Sequence, residues 1–203
     1  MGQIEFWYDF ASTYSYISAL RIGNLARQSG HTVQWRPFLL GPIFAAQGWT
    51  DSPFNIYPAK GAYMWRDMER LCAASDLPWR QPSTFPRHSV QAARIGLIAA
   101  RDGWGEAFTT AVYTANFALD QDIADSAVLK DIITRLDRDP EAVLGDATSP
   151  ENRNALRAQT EDAMRLGIFG APTFRINKEL FWGNDRLEQA LAWNISQPAQ
   201  MPA

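Results

Sequence analysis

The stretch FWYDFASTYSYI, residues 6–17, decides the fold of this chain. It begins as an apolar, aromatic run, passes Asp9, and continues through several hydroxyl residues into a segment with helical spacing. Aromatic residues favour strands, whereas Ser and Thr are preferred where a helix begins. The stretch therefore predicts a strand that passes directly into a helix N-terminus, with Ser12 and Ser15 near the junction.

The neighbouring segments extend this junction into a strand–helix–strand unit. Residues 3–10 predict a buried strand, residues 15–30 a helix that stops at Gly30, and residues 32–38 a second strand. Such a unit joins parallel strands through a right-handed crossover. Residues 39–58 lose this periodicity and predict a long loop, a kind of segment that is often functional.

The remainder of the chain divides into a helical block and a second strand-containing segment. Residues 61–166 show one helical pattern after another, and strand patterns return at 171–176 and 179–182 before a final helix. We therefore expect an α/β fold in which residues 1–60 and 167–194 form one split domain. Residues 61–166 are then an inserted helical domain, and residues 195–203 are a frayed tail.

Composition excludes several classes of function. The chain has 203 residues, 46% of them hydrophobic, a net charge of −3, and 19 Lys and Arg that are spread along it. This balance is typical of a soluble globular protein and shows no basic patch for nucleic acid. No apolar run approaches the roughly 18 residues of a membrane span, and the N-terminus lacks the basic start of a secretory signal. A cytoplasmic protein is expected.

The sulfur and imidazole groups predict no metal site and no disulfide. The single cysteine, Cys72, excludes an intramolecular disulfide, and its apolar helical surroundings predict a core position. The two histidines, His31 and His88, lie far apart without ligand spacing, so solvated or capping roles are expected for them.

Three motifs together resemble one family. FWYDFASTYSY, FGAPTF (residues 169–174) and FWGNDRL (residues 181–187) are similar to signatures of kappa-class glutathione transferases and bacterial 2-hydroxychromene-2-carboxylate isomerases. The resemblance implies a thioredoxin-like βαβ…ββα core with an all-helical insertion between its halves, bound glutathione, and a homodimer. The sequence departs from the family pattern at Thr13, where proline is usual.

The resemblance implies that Ser12 is the catalytic residue. A serine hydroxyl at a helix N-terminus can donate a hydrogen bond to a thiolate carried by a ligand, and such a bond lowers the pKa of the thiol. The alternative is that Ser12 only caps the helix. Ser15, one turn further, is expected to be a helix residue or a minor contact.

The other two motifs complete the implied glutathione site. A cis peptide bond before Pro172 lets the backbone of Ala171 pair with glutathione, whereas the alternative is a proline that merely starts a strand. Near the final helix, Asp185 suits the γ-glutamyl ammonium, and the alternative is simple capping by Asn184 or Asp185. The implied glutathione contacts are Ser12, Ala171, Pro172, Trp182, Gly183, Asn184 and Asp185.

The predicted loop and its surroundings are the expected place for a second substrate. Its aromatic residues suggest an apolar pocket, and Lys60 offers a cation for a carboxylate; alternatively, the aromatic residues only pack the loop against the helical block. The candidate contacts are Phe44, Trp49, Phe54, Asn55, Tyr57, Lys60 and Phe85. Phe44, Phe54-Asn55 and Phe85 align with a lysine, an Asn-Arg pair and a tyrosine of characterised isomerases, so most of those polar groups are missing here.

The resemblance thus implies a glutathione-dependent isomerase of unsaturated aromatic keto acids that works by reversible thiolate addition. The first alternative is a kappa-type transferase that acts on hydrophobic electrophiles, and the second is a non-catalytic thioredoxin-like module that binds peptides. The expected partner is a small aromatic molecule, and neither nucleic acid nor a membrane is expected.

Overall fold

A four-stranded mixed sheet forms the centre of the computed structural model, which describes residues 2–193. Its strands are β1 (Gly2–Tyr8), β2 (His31–Pro37), β3 (Thr173–Ile176) and β4 (Glu179–Trp182), in the order β2-β1-β3-β4. β1 is parallel to β2, whereas β3 is antiparallel to both β1 and β4. The predicted βαβ…ββα order and the α/β class are confirmed.

Helices cover the sheet and fill the middle of the chain. They are α1 (Thr13–Gln28), α2 (Leu40–Ala46), α3 (Pro53–Ile56), α4 (Pro58–Ala74), α5 (Val90–Arg101), α6 (Gly105–Phe117), α7 (Ser126–Arg135), α8 (Pro140–Ala147), α9 (Pro150–Arg165) and α10 (Leu187–Ala192). A 3₁₀ turn at Asn184–Arg186 precedes α10. Among residues 2–193, no helix is both long and apolar enough to cross a bilayer.

The prediction of one long loop over residues 39–58 is wrong. This segment contains α2 and α3, and α4 begins at its last residue. Pro53 and Pro58 occupy first-turn helical positions, where no backbone N–H is needed, and the Ser52 side chain accepts a hydrogen bond from the Phe54 N–H. Helices this short contain too few residues to show a periodic pattern.

The sheet and the helical block share apolar packing. The ring centroid of Phe10, which follows β1, lies 6.0 Å from that of Phe108 and 5.2 Å from that of Tyr113, both on α6. Cys72 is buried in the same apolar cluster, as predicted. The division into domains at residues 60 and 166 stays a prediction, and the predicted tail of residues 195–203 lies outside the described residues.

The antiparallel pairing of β1 with β3 positions the predicted site. Trp7, near the end of β1, pairs with Thr173, the first residue of β3. The segment that leads out of β1 into α1 therefore lies beside the segment that leads into β3. This arrangement brings Ser12 next to Ala171, although 159 residues separate them in the chain.

Candidate active site

Ser12 has both a capping contact and a contact across the fold. It is the N-cap of α1, and its Oγ accepts a hydrogen bond from the Ser15 N–H at 3.3 Å. The same hydroxyl donates to the carbonyl oxygen of Ala171 at 3.0 Å. The capping interpretation of Ser12 is therefore correct, but capping occupies only an acceptor position and leaves the hydroxyl hydrogen for another partner.

The peptide bond between Ala171 and Pro172 is cis, as expected. Pro172 is followed directly by β3, and its carbonyl accepts a hydrogen bond from the Gly183 N–H at 2.9 Å. Ala171 itself lines a cavity together with Ser12. The backbone of Ala171 is thus placed at the cavity wall opposite the start of α1.

This cavity brings together most of the predicted contacts. Its volume is about 1110 Å³, slightly more than the roughly 300–1,000 Å³ that is typical of small-molecule pockets. The predicted residues that line it are Ser12, Phe44, Trp49, Phe54, Lys60, Phe85, Ala171 and Trp182. The structure therefore joins the Ser12 corner and the predicted second-substrate residues in one space.

Two aromatic pairs form part of the cavity wall. The ring centroids of Phe44 and Trp49 lie 5.4 Å apart, and those of Phe169 and Trp182 lie 4.8 Å apart. Phe169 and Trp182 are 50% and 54% exposed, so their ring surfaces are available to a ligand. Phe169 was missing from the predicted contacts, although it begins the FGAPTF motif and could have been found there.

The cavity wall also contains a lysine and a histidine. The Lys60 Nζ lies 4.8 Å from the ring centroid of Tyr57, and within residues 2–193 it forms no salt bridge. His88 is exposed and lines the same cavity, a position that its sequence surroundings did not indicate. Lys60 is therefore placed to meet an anionic group on a ligand.

Asn55 is not among the cavity-lining residues. Its side-chain amide donates to Asp51 Oδ2 at 3.0 Å and to the backbone carbonyl of Phe85 at 3.3 Å. The amide therefore links the α3 region to the segment that carries Phe85. A direct contact between Asn55 and a substrate stays a prediction.

Asp9 is a buried carboxylate in the cavity wall that the predicted set did not include. One oxygen accepts from the Ala11 N–H at 2.9 Å and the other from the Leu40 N–H at 2.8 Å. Burial raises the pKa of Asp9. Asp9 therefore links the β1–α1 connection to the start of α2 and fixes these two parts of the cavity wall relative to each other.

The predicted γ-glutamyl contacts lie just beyond the cavity-lining residues. Gly183 adopts a φ of +109°, which L side chains rarely tolerate, so glycine suits this turn. The Asn184 side chain is buried and accepts from Ser18 Oγ at 3.0 Å. The capping alternative for Asn184 or Asp185 is not observed, because no side chain caps this 3₁₀ turn.

Asp185 presents an exposed carboxylate three residues after Trp182, which lines the cavity. Its side chain is 73% exposed, and its Oδ2 lies 3.6 Å from Arg186 Nη2. Burial raises the pKa of the cavity residue Tyr14, and the nearby charges of Asp67 and Asp185 contribute in the same direction. A contact between Asp185 and a cationic group of a bound molecule stays a prediction.

An ionic cluster secures the wall segment that carries Phe85 and His88. Arg87 is buried, donates to Asn116 Oδ1 at 2.9 Å, and contacts the Asp120 carboxylate. The Ser83 N–H donates to Asp120 Oδ1 at 2.8 Å. Together the Ser83 N–H and Arg87 lower the pKa of Asp120 to about 2.

Residues 3–192 match the family of DSBA-like thioredoxin domains. The chain belongs to this family. It is 30% identical to the 2-hydroxychromene-2-carboxylate isomerase of Sphingobium xenophagum over 186 residues, which cover 91% of this chain and 94% of the relative. It is also 25% identical to glutathione S-transferase kappa 1 of Caenorhabditis elegans, with 100% of this chain and 94% of the relative covered. The family resemblance expected from the three motifs is confirmed.

A solved structure confirms the fold of this DSBA-like thioredoxin domain. A 2-hydroxychromene-2-carboxylate isomerase superposes with a TM-score of 0.84 at 22% identity, covering 92% of this chain and 91% of that chain.

This member of the family carries serine at the corner where thioredoxin-like oxidoreductases carry a Cys-X-X-Cys pair. The single sulfhydryl of the chain, Cys72, is buried, and burial raises its pKa to about 11. A thiolate that reacts in the cavity must therefore come from a ligand, because Ser12 and Ser15 cannot exchange disulfides.

Proposed function

We propose that this protein is a glutathione-dependent isomerase of unsaturated aromatic keto acids, similar to 2-hydroxychromene-2-carboxylate isomerases. The observation that carries the proposal is the placement of the Ser12 hydroxyl, at the N-terminus of α1 and 3.0 Å from the Ala171 carbonyl, in a cavity without a protein sulfhydryl. The similarity to an isomerase and to kappa-class transferases supports the same reaction class.

The residues of the cavity suit glutathione. Ser12 is a donor for a thiolate, Ala171 lies beside it with its backbone at the cavity wall, and Asp185 is an exposed carboxylate for the γ-glutamyl ammonium. A thiol pKa of about 8.5 lowered by one unit increases the thiolate at pH 7 from about 3% to about a quarter. Ser12 and the positive end of α1 both act in this direction.

When bound, glutathione supplies a thiolate that adds reversibly to an activated double bond, allows rotation about the resulting single bond, and leaves unchanged. Ser12 stabilises the negatively charged sulfur by donating a hydrogen bond to it, and the Ala171 backbone orients the tripeptide. The aromatic pairs Phe44–Trp49 and Phe169–Trp182 offer ring surfaces to a planar substrate, while Lys60 meets its carboxylate. Positioning and a pre-ionised thiol are the expected sources of rate enhancement.

A kappa-type transferase is the second candidate. It is favoured by the apolar character of Phe44, Phe54 and Phe85, which stand where the isomerases have polar groups and which all line the cavity. A hydrophobic electrophile needs no charged partner, so such a wall suits it. For the isomerase we further propose a homodimer in the cytoplasm that acts in aromatic catabolism.

The test has two steps. Calorimetric titration at about pH 9, where the thiol of free glutathione also ionises, should show that reduced glutathione binds several-fold more tightly than S-methylglutathione, which cannot form a thiolate. Incubation with a cis-configured aromatic 2-oxo-3-enoic acid and substoichiometric glutathione should then produce many turnovers of the trans isomer. One glutathione consumed per product indicates the transferase, and equal affinity for both tripeptides without turnover indicates a binding module.

A further inference from the structure

Ser15 lies directly behind Ser12 and has no access to solvent. It is fully buried, its Oγ lies 3.0 Å from Ser12 Oγ, and its backbone N lies 3.3 Å from the same atom. The Ala171 carbonyl oxygen is the third polar neighbour of Ser12 Oγ, at 3.0 Å. The Ser12 oxygen is therefore surrounded by three hydrogen-bonding groups.

The chemistry of these groups determines the direction of each hydrogen bond. A carbonyl oxygen only accepts, so the single hydrogen of Ser12 is donated to Ala171. A backbone N–H only donates, so the Ser15 N–H fills one acceptor position of Ser12 Oγ. With the Ser12 hydrogen already used, the Ser15 hydroxyl must be the donor in the contact between the two serines.

A second hydroxyl near Ser15 does not change this assignment. The Tyr113 phenol donates its own hydrogen to the carbonyl oxygen of Asp9 at 2.7 Å and could only accept from Ser15. Of these two acceptors, Ser12 Oγ is the one within hydrogen-bonding geometry of Ser15 Oγ, at 3.0 Å. Both acceptor positions of Ser12 Oγ are therefore filled by Ser15, one from its backbone and one from its side chain. Toward a ligand in the cavity, Ser12 can therefore act as a hydrogen-bond donor but not as an acceptor.

We propose that Ser15 is a positioning residue whose hydroxyl makes Ser12 act solely as a hydrogen-bond donor toward the sulfur of bound glutathione. The inference rests on the proposed function. A thiolate accepts a stronger, charge-assisted hydrogen bond than the neutral Ala171 carbonyl and can take the Ser12 hydrogen from it, while Ser15 still fills the acceptor positions of Ser12 Oγ. A hydroxyl that accepts such a bond is also a stronger donor, since hydrogen bonds in a chain polarise one another.

The test compares Ser15→Ala with Ser12→Ala and with the double variant. The readout is the pKa of the bound glutathione thiol, followed by thiolate absorbance at about 240 nm. Ser15→Ala should raise this pKa by about half a unit to one unit and lower turnover at pH 7 by about threefold to tenfold. Affinity for S-methylglutathione should stay within about twofold, which shows that the cavity is intact.

The double variant should be no worse than Ser12→Ala alone, because Ser15 acts through Ser12. Thr109→Val is the matched control: Thr109 is fully buried, its hydroxyl contacts Tyr8 at 2.7 Å, and it does not line the cavity. This control should lose stability without a change in the thiol pKa.

Each outcome is decisive. An unchanged thiol pKa in Ser15→Ala, with a raised one in Ser12→Ala, overturns the role of Ser15 and leaves the proposed function standing. Additive pKa shifts in the double variant also overturn it, since they mean that Ser15 acts independently of Ser12. An unshifted pKa in Ser12→Ala overturns the proposed function and this inference with it.

Discussion

Replacing Ser12 with alanine separates the capping role of this hydroxyl, which the structure shows, from its proposed role toward a thiolate. The variant removes the acceptor for the Ser15 N–H and the donor to the Ala171 carbonyl. Loss of the N-cap should cost about 1 kcal/mol of the free energy of unfolding, which for a chain of this size lowers the Tm by about 2–4 °C.

The proposed role adds a separate and larger effect on chemistry. Loss of one hydrogen bond to the charged form should raise the pKa of the bound thiol by about one to two units, at about 1.4 kcal/mol per unit. If the wild-type value lies about one unit below 8.5, turnover at pH 7 falls by about eightfold for a one-unit rise and by about 80-fold for a two-unit rise. Activity should largely recover at about pH 9, where the thiol ionises without help.

The assay is a pH titration of thiolate absorbance with glutathione bound, run beside the pH profile of turnover. Ser149→Ala is the matched control, since Ser149 caps α9 through the Asn152 N–H at 3.1 Å and does not line the cavity. Both variants should lose similar stability, but only Ser12→Ala should shift the thiol pKa. Equal titration curves for the two variants would refute the thiolate role and leave Ser12 as a cap.

Two further predictions concern charged groups around the cavity. Asp185→Ala should weaken glutathione binding by about 1.5–3 kcal/mol in calorimetry. The control Asp131→Ala removes an exposed carboxylate that is paired with Arg135 and should leave glutathione binding unchanged. Equal affinities of the two variants for glutathione would contradict the γ-glutamyl contact. The pKa of Asp120, lowered to about 2, adds stability that is present above about pH 4 and is lost as the pH falls through about 2. Asp120→Asn should therefore lower the urea midpoint at pH 7 and approach the wild type as the pH falls below about 2, and a pH-independent difference would contradict the ionic anchoring.

Local patterns in the sequence were sufficient for most of the fold. The strand-to-helix junction at residues 6–17 and the order of the longer helices depend on neighbours within a few residues, and the structure confirms both. Capping by Ser12, the alternative to its role toward a thiolate, is also a local feature and is present in the structure. The short helices α2 and α3 were missed because one or two turns contain no readable period.

Some residues of the candidate site could also be predicted from the sequence, and others only from the structure. The aromatic residues Phe44, Trp49 and Phe85 were predicted from composition and motif alignment, and they line the cavity. The sequence gives no signal for the position of His88, because a single exposed side chain carries no local signal of what it faces, whereas Phe169 begins the FGAPTF motif and could have been found there. The sequence places Asp9 directly after β1, but only the tertiary structure shows its contact with Leu40, which is 31 residues away.

The sequence by itself determined that hydroxyls, and not sulfurs, stand where this fold starts its first helix. This excludes disulfide exchange at the corner, because side-chain chemistry is set by residue type alone. Only the tertiary structure decided that the Ser12 hydrogen is donated to Ala171 while Ser15 fills its acceptor positions. The pairing of β1 with β3 joins residues 159 positions apart in the chain, and the direction of a hydroxyl hydrogen depends on which partners that pairing brings within reach.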